Sequence, residues 1–297
     1  MSGRLETYRD RVVVADGGWS TQLQARGFPP EAPAESANLT HPRFVTELAA
    51  QYVAAGAEIL TTNTFAANRF GFRRRGEGSD LDEINRAGAR LAKEAAGDSG
   101  VLVAGSIGPS GKILAVREVD ERELAQAFAR QAAALVDGGA DLIVLETFTE
   151  LAEVLLALDA VREAVPCPVI ASMSFDSGPQ RTRTVMGASA ENCAAALQEA
   201  GADALGCNCG GGIATFLPVV VALRANTTLP LWVKPNAGLP ELEDGRAVYK
   251  QTPDEFGHSI PEILDAGANF IGGCCGTGPA HIKRLAALAA SHRRRNK

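Results

Sequence analysis

The sequence predicts one (β/α)8 barrel of the TIM type, spanning residues 1–297 as a single domain with a barrel core at about 12–291. Three observations carry that expectation. First, four segments repeat one pattern: "AAGAEILTTNTF" from 54, "DGGADLIVLETF" from 137, "EAGADALGCNCG" from 199 and "DAGANFIGGCCG" from 265. Each contains a glycine (Gly56, Gly139, Gly201 and Gly267) able to end a helix in the left-handed conformation. An acidic residue or Asn follows, then a short run that is apolar on both faces, as in strands buried in a parallel sheet. Second, four further apolar runs lie between these: "VVVAD", "VLVAGSIG", "PVIASMSF" and "LPLWVKPN". Third, no linker-like or low-complexity break interrupts the alternation, and α/β barrels commonly run as single units of about 250 residues. A doubly wound sheet is the alternative, but regular alternation without a second domain's composition favours closure.

Taken in order, the first strand is 12–16. The irregular stretch 17–42 that follows is long enough to cover a barrel mouth. Helices are expected over 43–55, 81–96, 121–138, 150–164, 189–200, 213–225, 254–266 and 279–291, several with apolar residues three and four apart. Asp120 with Glu123 reads as a helix start, and Pro279 suits the first position of the last helix. The strands of the second set fall at 101–108, 168–175 and 229–236, interleaved with those of the repeat.

Apolar residues at 46% and charged residues at 22% are ordinary for a globular protein with a sizeable core. A net charge of −6 argues against nucleic acid or an anionic membrane as partner, and Arg293-Arg294-Arg295 reads as a solvated tail. The N-terminal "MSGRLETYRDR" has no apolar signal core, and no run approaches the roughly 20 residues that span a bilayer. A cytoplasmic location is therefore expected, with Cys167, Cys193, Cys207, Cys209, Cys274 and Cys275 as thiols. Clusters among them point to metal or catalysis before disulfides.

Active sites of such barrels form at the C-terminal ends of the strands. Those ends read Asp16-Gly17-Gly18, Thr62-Asn63-Thr64, Ser106-Ile107-Gly108, Glu146-Thr147, Ser174-Phe175, Asn208-Cys209, Pro235-Asn236 and Cys274-Cys275. Cys209 ends the sixth strand and the cysteine pair ends the eighth, so three thiolates could converge on one zinc ion and leave a fourth position open. Neighbouring strand residues point oppositely, so both paired cysteines can face one ion only if the chain turns there, which the flanking glycines permit. Cysteine is also a common small core residue, and Cys167 and Cys193 read as structural. Cys207 shares a strand face with Cys209, and spacing alone does not decide between them.

Glu146 follows a buried apolar run, where a carboxylate wants a cation such as a substrate ammonium or a structural partner. Asp16-Gly17-Gly18 offers backbone donors for a carboxylate, although a tight turn would want the same glycines. Ser106 and Asn236 are further candidates. "GSIGPSGKI" is not a phosphate loop, because the glycine spacing is wrong and Ile113 stands where a metal-binding hydroxyl is needed. No His sits at a strand end as a paired ligand.

Together "DGGWSTQL", "NTFAANR", "GSIGPSG", "LETF", "GCNCGGG", "KPNAGLP" and "IGGCCGTGPAHI" resemble the homocysteine S-methyltransferase family, over about residues 12–285. "NLTHP", "TNTFAANR" and "KPNAG" look most like the homocysteine-binding module of cobalamin-dependent methionine synthase. The resemblance implies zinc held by Cys209, Cys274 and Cys275, and settles Cys209 over Cys207 because the family's first ligand follows an asparagine. It implies homocysteine as substrate, its ammonium on Glu146 and its amino-acid end against Asp16 and the Gly17-Gly18 backbone, with Asn236 lining the site. A free thiol titrates near pH 8.5, and zinc ligation removes that proton while three protein thiolates preserve the sulfur's nucleophilicity.

The methyl donor is the open point. A chain consumed by one barrel leaves no room for the folate and cobalamin modules of methionine synthases, and the long C-terminal arm of betaine-using relatives is missing. A stand-alone homocysteine methyltransferase is expected, fed by methylcobalamin on a separate corrinoid protein, or by S-methylmethionine, S-adenosylmethionine or betaine. A zinc-binding or redox-sensing barrel is the rival reading, against which the amino-acid pocket argues. A zinc hydrolase would need a general base beside the metal, and none is evident.

Overall fold

A computed structural model describes residues 5–72, 80–243 and 246–295. Its strands are β1 (Val13–Val14), β2 (Ile59–Thr61), β3 (Leu102–Ile107), β4 (Leu142–Phe148), β5 (Val169–Met173), β6 (Ala204–Cys209), β7 (Leu231–Pro235), β8 (Glu241–Glu243), β9 (Arg246–Val248) and β10 (Phe270–Ile271). Eight of them form one sheet in the order β1-β10-β7-β6-β5-β4-β3-β2, and the paired strands run parallel. A parallel bridge between Ala15 and Ile59 joins the two ends of that order, so the sheet closes into the expected barrel. The helices are α1 (Ser20–Ala25), α2 (Ala37–Thr40), α3 (Pro42–Ala54), α4 (Leu81–Ala96), α5 (Glu121–Asp137), α6 (Leu151–Ala164), α7 (Ala190–Glu199), α8 (Phe216–Ala225), α9 (Pro253–Gly257), α10 (Ile260–Asp265) and α11 (Pro279–Arg295).

The repeated segment has a structural cause. After each glycine, the acidic residue or Asn precedes an even-numbered barrel position and clamps the strand before it. Glu58 accepts from the Val14 amide at 3.2 Å, Asp141 from Val103 at 2.7 Å, Asp203 from Val169 at 2.9 Å and Asn269 from Leu231 at 2.9 Å. In each case the residue's own amide donates back to the same strand, at 2.7, 2.8, 2.9 and 3.0 Å. These two-point clamps satisfy amides at the strand starts, where the ladder has not yet begun.

Period-2 alternation sorts the side chains of each strand. Val13, Ile59, Ala104, Leu142, Val144, Ile170, Ala204, Trp232 and Phe270 fill the barrel interior, and Tyr8 packs on Phe270 at its lower end. The opposite faces pack against the helices, with Leu60, Val103, Ile143, Leu205, Cys207 and Val233 in that outer core. Helix starts follow the sequence signals: Asp120 accepts from the amides of Arg122 and Glu123, and α11 opens at Pro279.

Four features differ from expectation. Residues 17–42 hold short helices rather than irregular chain throughout: α1, a 3-10 turn at Ala34–Ser36 and α2. Helix 254–266 is two helices, because Pro261 lacks an amide to continue α9 and starts α10 instead. The arginine run is the last turn of α11, with Arg293 paired to Glu58 and Arg295 near Asp265 at 3.9 Å. The β8–β9 hairpin was not foreseen, although an Asp-Gly dipeptide separating short runs is a known hairpin signal. No helix among the described residues is long and apolar enough to cross a membrane.

Candidate metal centre

The inward residues change character toward the C-terminal ends. On β4 they run Leu142, Val144, Glu146; on β3 Leu102, Ala104, Ser106; on β7 Trp232, Lys234; on β6 Ala204, Gly206, Asn208. Apolar lower layers therefore support a polar upper layer. There Ser106 Oγ donates to Glu146 Oε1 at 2.5 Å, and Lys234 Nζ donates to Asp16 Oδ1 at 2.6 Å. Asp16 also accepts from the Thr61 amide at 2.8 Å, Thr61 Oγ1 at 2.9 Å and Trp19 Nε1 at 3.1 Å. Burial pushes the Glu146 carboxyl up, against the opposing pull of Lys234 and Ser106. For Lys234, burial works to lower the value, but Asp16 and then Glu146 outweigh it and hold the ammonium above its ordinary range.

Cys209, Cys274 and Cys275 come together, with their sulfurs all within 4.8 Å of one another. Alternation by itself would send Cys209 outward with Cys207. Instead Cys209 adopts a left-handed φ of 65°, which turns its side chain off the outer face at a backbone cost of roughly 1 kcal/mol or more. Cys207 stays in the outer core, where burial pushes its thiol up. β10 ends at Ile271, before the cysteine pair, and the chain turns so that the Thr277 amide donates to the Cys274 carbonyl at 3.2 Å. Gly276 completes that turn at φ 78°.

Polar groups hold the sulfurs. Asn236 Nδ2 donates to Cys209 Sγ at 3.5 Å, while Asn236 Oδ1 accepts from the Cys275 amide at 3.0 Å. Asn208 Nδ2 lies 3.9 Å from Cys274 Sγ. Hydrogen bonds from the Cys274 and Cys275 thiols, with Asn236 helping, hold the Cys209 thiol well below its ordinary range. The same bonds push the Cys274 and Cys275 thiols up. Three thiolates brought this close would repel one another, so full deprotonation of the trio calls for a cation. The donor set fits zinc: three sulfurs and no oxygen donor match a thiolate-rich tetrahedral site, whose sulfurs sit about 3.8 Å apart for bonds of about 2.3 Å.

Gly17, Gly18, Ser106, Glu146, Lys234 and the three cysteines line one cavity of about 490 Å3. Asp16 is fully buried beneath it, turned to Lys234, and does not reach the lining. Asn236 also lies behind the lining, supporting Cys209 and Cys275. The backbone donors expected at 17–18 are partly spent, since the Gly18 amide donates to Thr277 O and Thr277 Oγ1. Gly17 is required by packing, because a Cβ there would lie 2.8 Å from the Tyr52 hydroxyl and 2.9 Å from Thr277 O. In the "GSIGPSGKI" loop Glu153 takes the Ser110 amide and hydroxyl, and just beyond it Glu150 takes the amides of Leu114 and Ala115.

Two residues at the site, Lys234 and Tyr249, escaped the sequence reading, and Asn208 was named there only as a strand end. Lys234 was visible as a lone cation inside the apolar run "LPLWVKPN". Asn208 was visible one residue before Cys209, on the inward face; its Oδ1 accepts from Ser172 and the Thr147 amide at 2.7 and 2.8 Å. Tyr249 hydrogen-bonds Cys275 from the chain just after β9, and no local signal marks it.

A family model described as homocysteine S-methyltransferase matches residues 13–289. The chain belongs to that family. It is 31% identical to the methionine synthase of Mycobacterium tuberculosis over 98% of its own length, and spans 26% of that relative. It therefore covers about a quarter of the curated relatives it matches. Among solved structures, the metallated form of the homocysteine methyltransferase MmuM from Escherichia coli superposes with a TM-score of 0.78 at 28% identity, covering 96% of this chain and 98% of that one. The apo form of the same protein gives 0.75 at 26% identity, with the same coverage.

Proposed function

We propose that this chain is a zinc-dependent homocysteine S-methyltransferase, moving a methyl group onto the homocysteine thiol to give methionine and the demethylated donor. The observation that carries the proposal is the convergence of Cys209, Cys274 and Cys275 on one cavity with Glu146. Cys209, Cys274 and Cys275 would hold the metal, as the metallated MmuM neighbour supports. When bound, zinc supplies a Lewis acid that keeps a thiol deprotonated at neutral pH.

The remaining work belongs to the chain. Glu146, desolvated and oriented by Ser106, is poised for a substrate ammonium, which would relieve the cost of its burial. The Gly17 and Gly18 backbone borders the same space for the amino-acid end. Asp16 acts as a positioning residue through Lys234, whose charge it fixes beside Glu146. Asn236 and Asn208 orient the sulfurs from behind.

Likeness to the homocysteine module of methionine synthase favours methylcobalamin on a separate corrinoid protein as donor. A second reading, a small cationic donor, is favoured by Glu35 on the cavity wall, whose Oε2 is buried with no partner among the described residues. Incubating the zinc-loaded protein with homocysteine and a panel of donors, and measuring methionine, tests the proposal. Methionine is expected with at least one donor; none with any, methylcobalamin included, overturns it and leaves the zinc or redox-sensing barrel.

A further inference from the structure

The β8–β9 hairpin follows the C-terminal end of β7 but pairs with no strand of the eight-stranded sheet. An isolated two-stranded hairpin is marginally stable at best. Little within this one compensates. Leu242 is 82% exposed, and Lys250 reaches Glu241 at 2.6 Å and Glu243 at 2.8 Å through exposed side chains, a kind of pair that contributes little. The segment returning from β9 is what anchors it. The Gly278 amide donates to His281 Nδ1 at 3.2 Å, which leaves Nε2 to donate to the Gln251 carbonyl at 2.9 Å. Two residues earlier, Tyr249 packs on the turn that carries the cysteine pair, where a Cβ added at Gly276 would collide with Tyr249 Cβ and Cγ. The Tyr249 hydroxyl hydrogen-bonds Cys275. The phenol is the donor, since burial and the neighbouring sulfurs hold its proton above the ordinary tyrosine range. Each of the three sulfurs thus faces one uncharged donor: Asn236 Nδ2 for Cys209 at 3.5 Å, Asn208 Nδ2 for Cys274 at 3.9 Å, and Tyr249 for Cys275. Asn208 lies in β6 and Asn236 directly after β7, so the barrel fixes both. Of the three donors, Tyr249 alone comes from the hairpin's segment.

We infer that Tyr249 is a positioning residue that couples the β8–β9 hairpin to the metal centre: it donates to Cys275 Sγ, and loading the three sulfurs with metal tightens the hairpin. This rests on the zinc site of the reading above and is independent of the methyl donor. A cysteine that ligates zinc is a thiolate. A hydrogen bond to a charged sulfur is stronger than one to a neutral thiol. Tyr249 therefore holds the hairpin harder once metal is bound. Coupling between two sites is reciprocal, so Tyr249 must favour metal binding by the same factor. The phenol also draws charge from Cys275, which sets this ligand apart from the two that only an amide supports.

Hydrogen–deuterium exchange of the β8 and β9 amides tests the coupling, read in the full chain with zinc removed by a chelator and then restored. In the wild type zinc should slow that exchange about fivefold, the difference between a charged and a neutral hydrogen bond. Tyr249→Phe should lose the response and bind zinc about fivefold more weakly in competition with a chromophoric chelator. With cobalt(II) in place of zinc, the same variant should move the sulfur-to-cobalt charge-transfer band to longer wavelength, because Cys275 regains the charge that the phenol withdrew. A role in hairpin packing alone would not move that band. Lys250→Ala should speed exchange with and without metal and keep the zinc response, since it loosens the hairpin without touching a sulfur. Exchange indifferent to zinc in the wild type, or a response that survives in Tyr249→Phe, overturns the inference. A Tyr249-dependent response in a protein that makes no methionine from any donor removes the methyltransferase and keeps the coupling. Methionine formed without the response does the reverse.

Discussion

Lys234→Met breaks the most deeply buried ion pair among the described residues, and its cost follows from what remains. Lys234 and Asp16 are 2% and 0% exposed and 2.6 Å apart. Removing one partner of such a pair costs about 3–5 kcal/mol, because the other charge is left desolvated. Asp16 keeps the Thr61 amide, Thr61 Oγ1 and Trp19 Nε1, so the lower end, about 3 kcal/mol, is expected. At about 1.4 kcal/mol per decade that is roughly a hundredfold in the unfolding equilibrium. The assay is urea unfolding followed by circular dichroism, with Asp16→Asn and the double variant completing a cycle. Because the double variant strands no charge on either partner, it should recover about 2 kcal/mol relative to the sum of the singles. Costs that add to within about 0.5 kcal/mol would refute the pairing. The pH dependence has a fixed sign. The folded value of Lys234 is raised, so its contribution is complete below the ordinary lysine value of 10.5 and drains away as pH climbs through the folded value. Lys234→Met should lack that share of the alkaline loss.

Two further outcomes are open to simple measurement. Cys209→Ala should lose stoichiometric zinc by elemental analysis, whereas Cys207→Ala should keep it and lose only about 1 kcal/mol of stability as a buried side chain is trimmed; the opposite pattern would overturn the ligand assignment. Asp203→Ala, which frees the Val169 amide at a strand start, should cost about 1–2 kcal/mol in urea unfolding, and Asp203→Asn, which keeps an acceptor, much less. Equal effects of the two substitutions would refute the clamp.

Much of the architecture was legible because it rests on local physics. Apolar runs recur at each strand–helix unit and helix-ending glycines at every second one, and the acidic residue or Asn before every second strand was seen as a pattern before its clamping role was known. The breaks in legibility have equally specific causes. Pro261 divides a helix whose apolar spacing reads as continuous, and the arginine run looked solvated because Glu58, its partner, is 235 positions away in sequence.

The sequence by itself determined the barrel, the residue types at its C-terminal rim and, through motif likeness, the family. Only the tertiary structure decided which way those residues face. Alternation alone sends Cys209 out with Cys207, and the left-handed turn at 65° is what removes it from that face. Spacing offers Asp16 to a ligand, but Lys234 comes from the seventh strand to claim it. Glu35 lay unnoticed in a stretch read as irregular, because an idle oxygen can be recognised only once every neighbour is in place. Patterns along a chain encode secondary structure through short-range sterics and burial; the pairing of buried charges depends on which strands closure sets side by side.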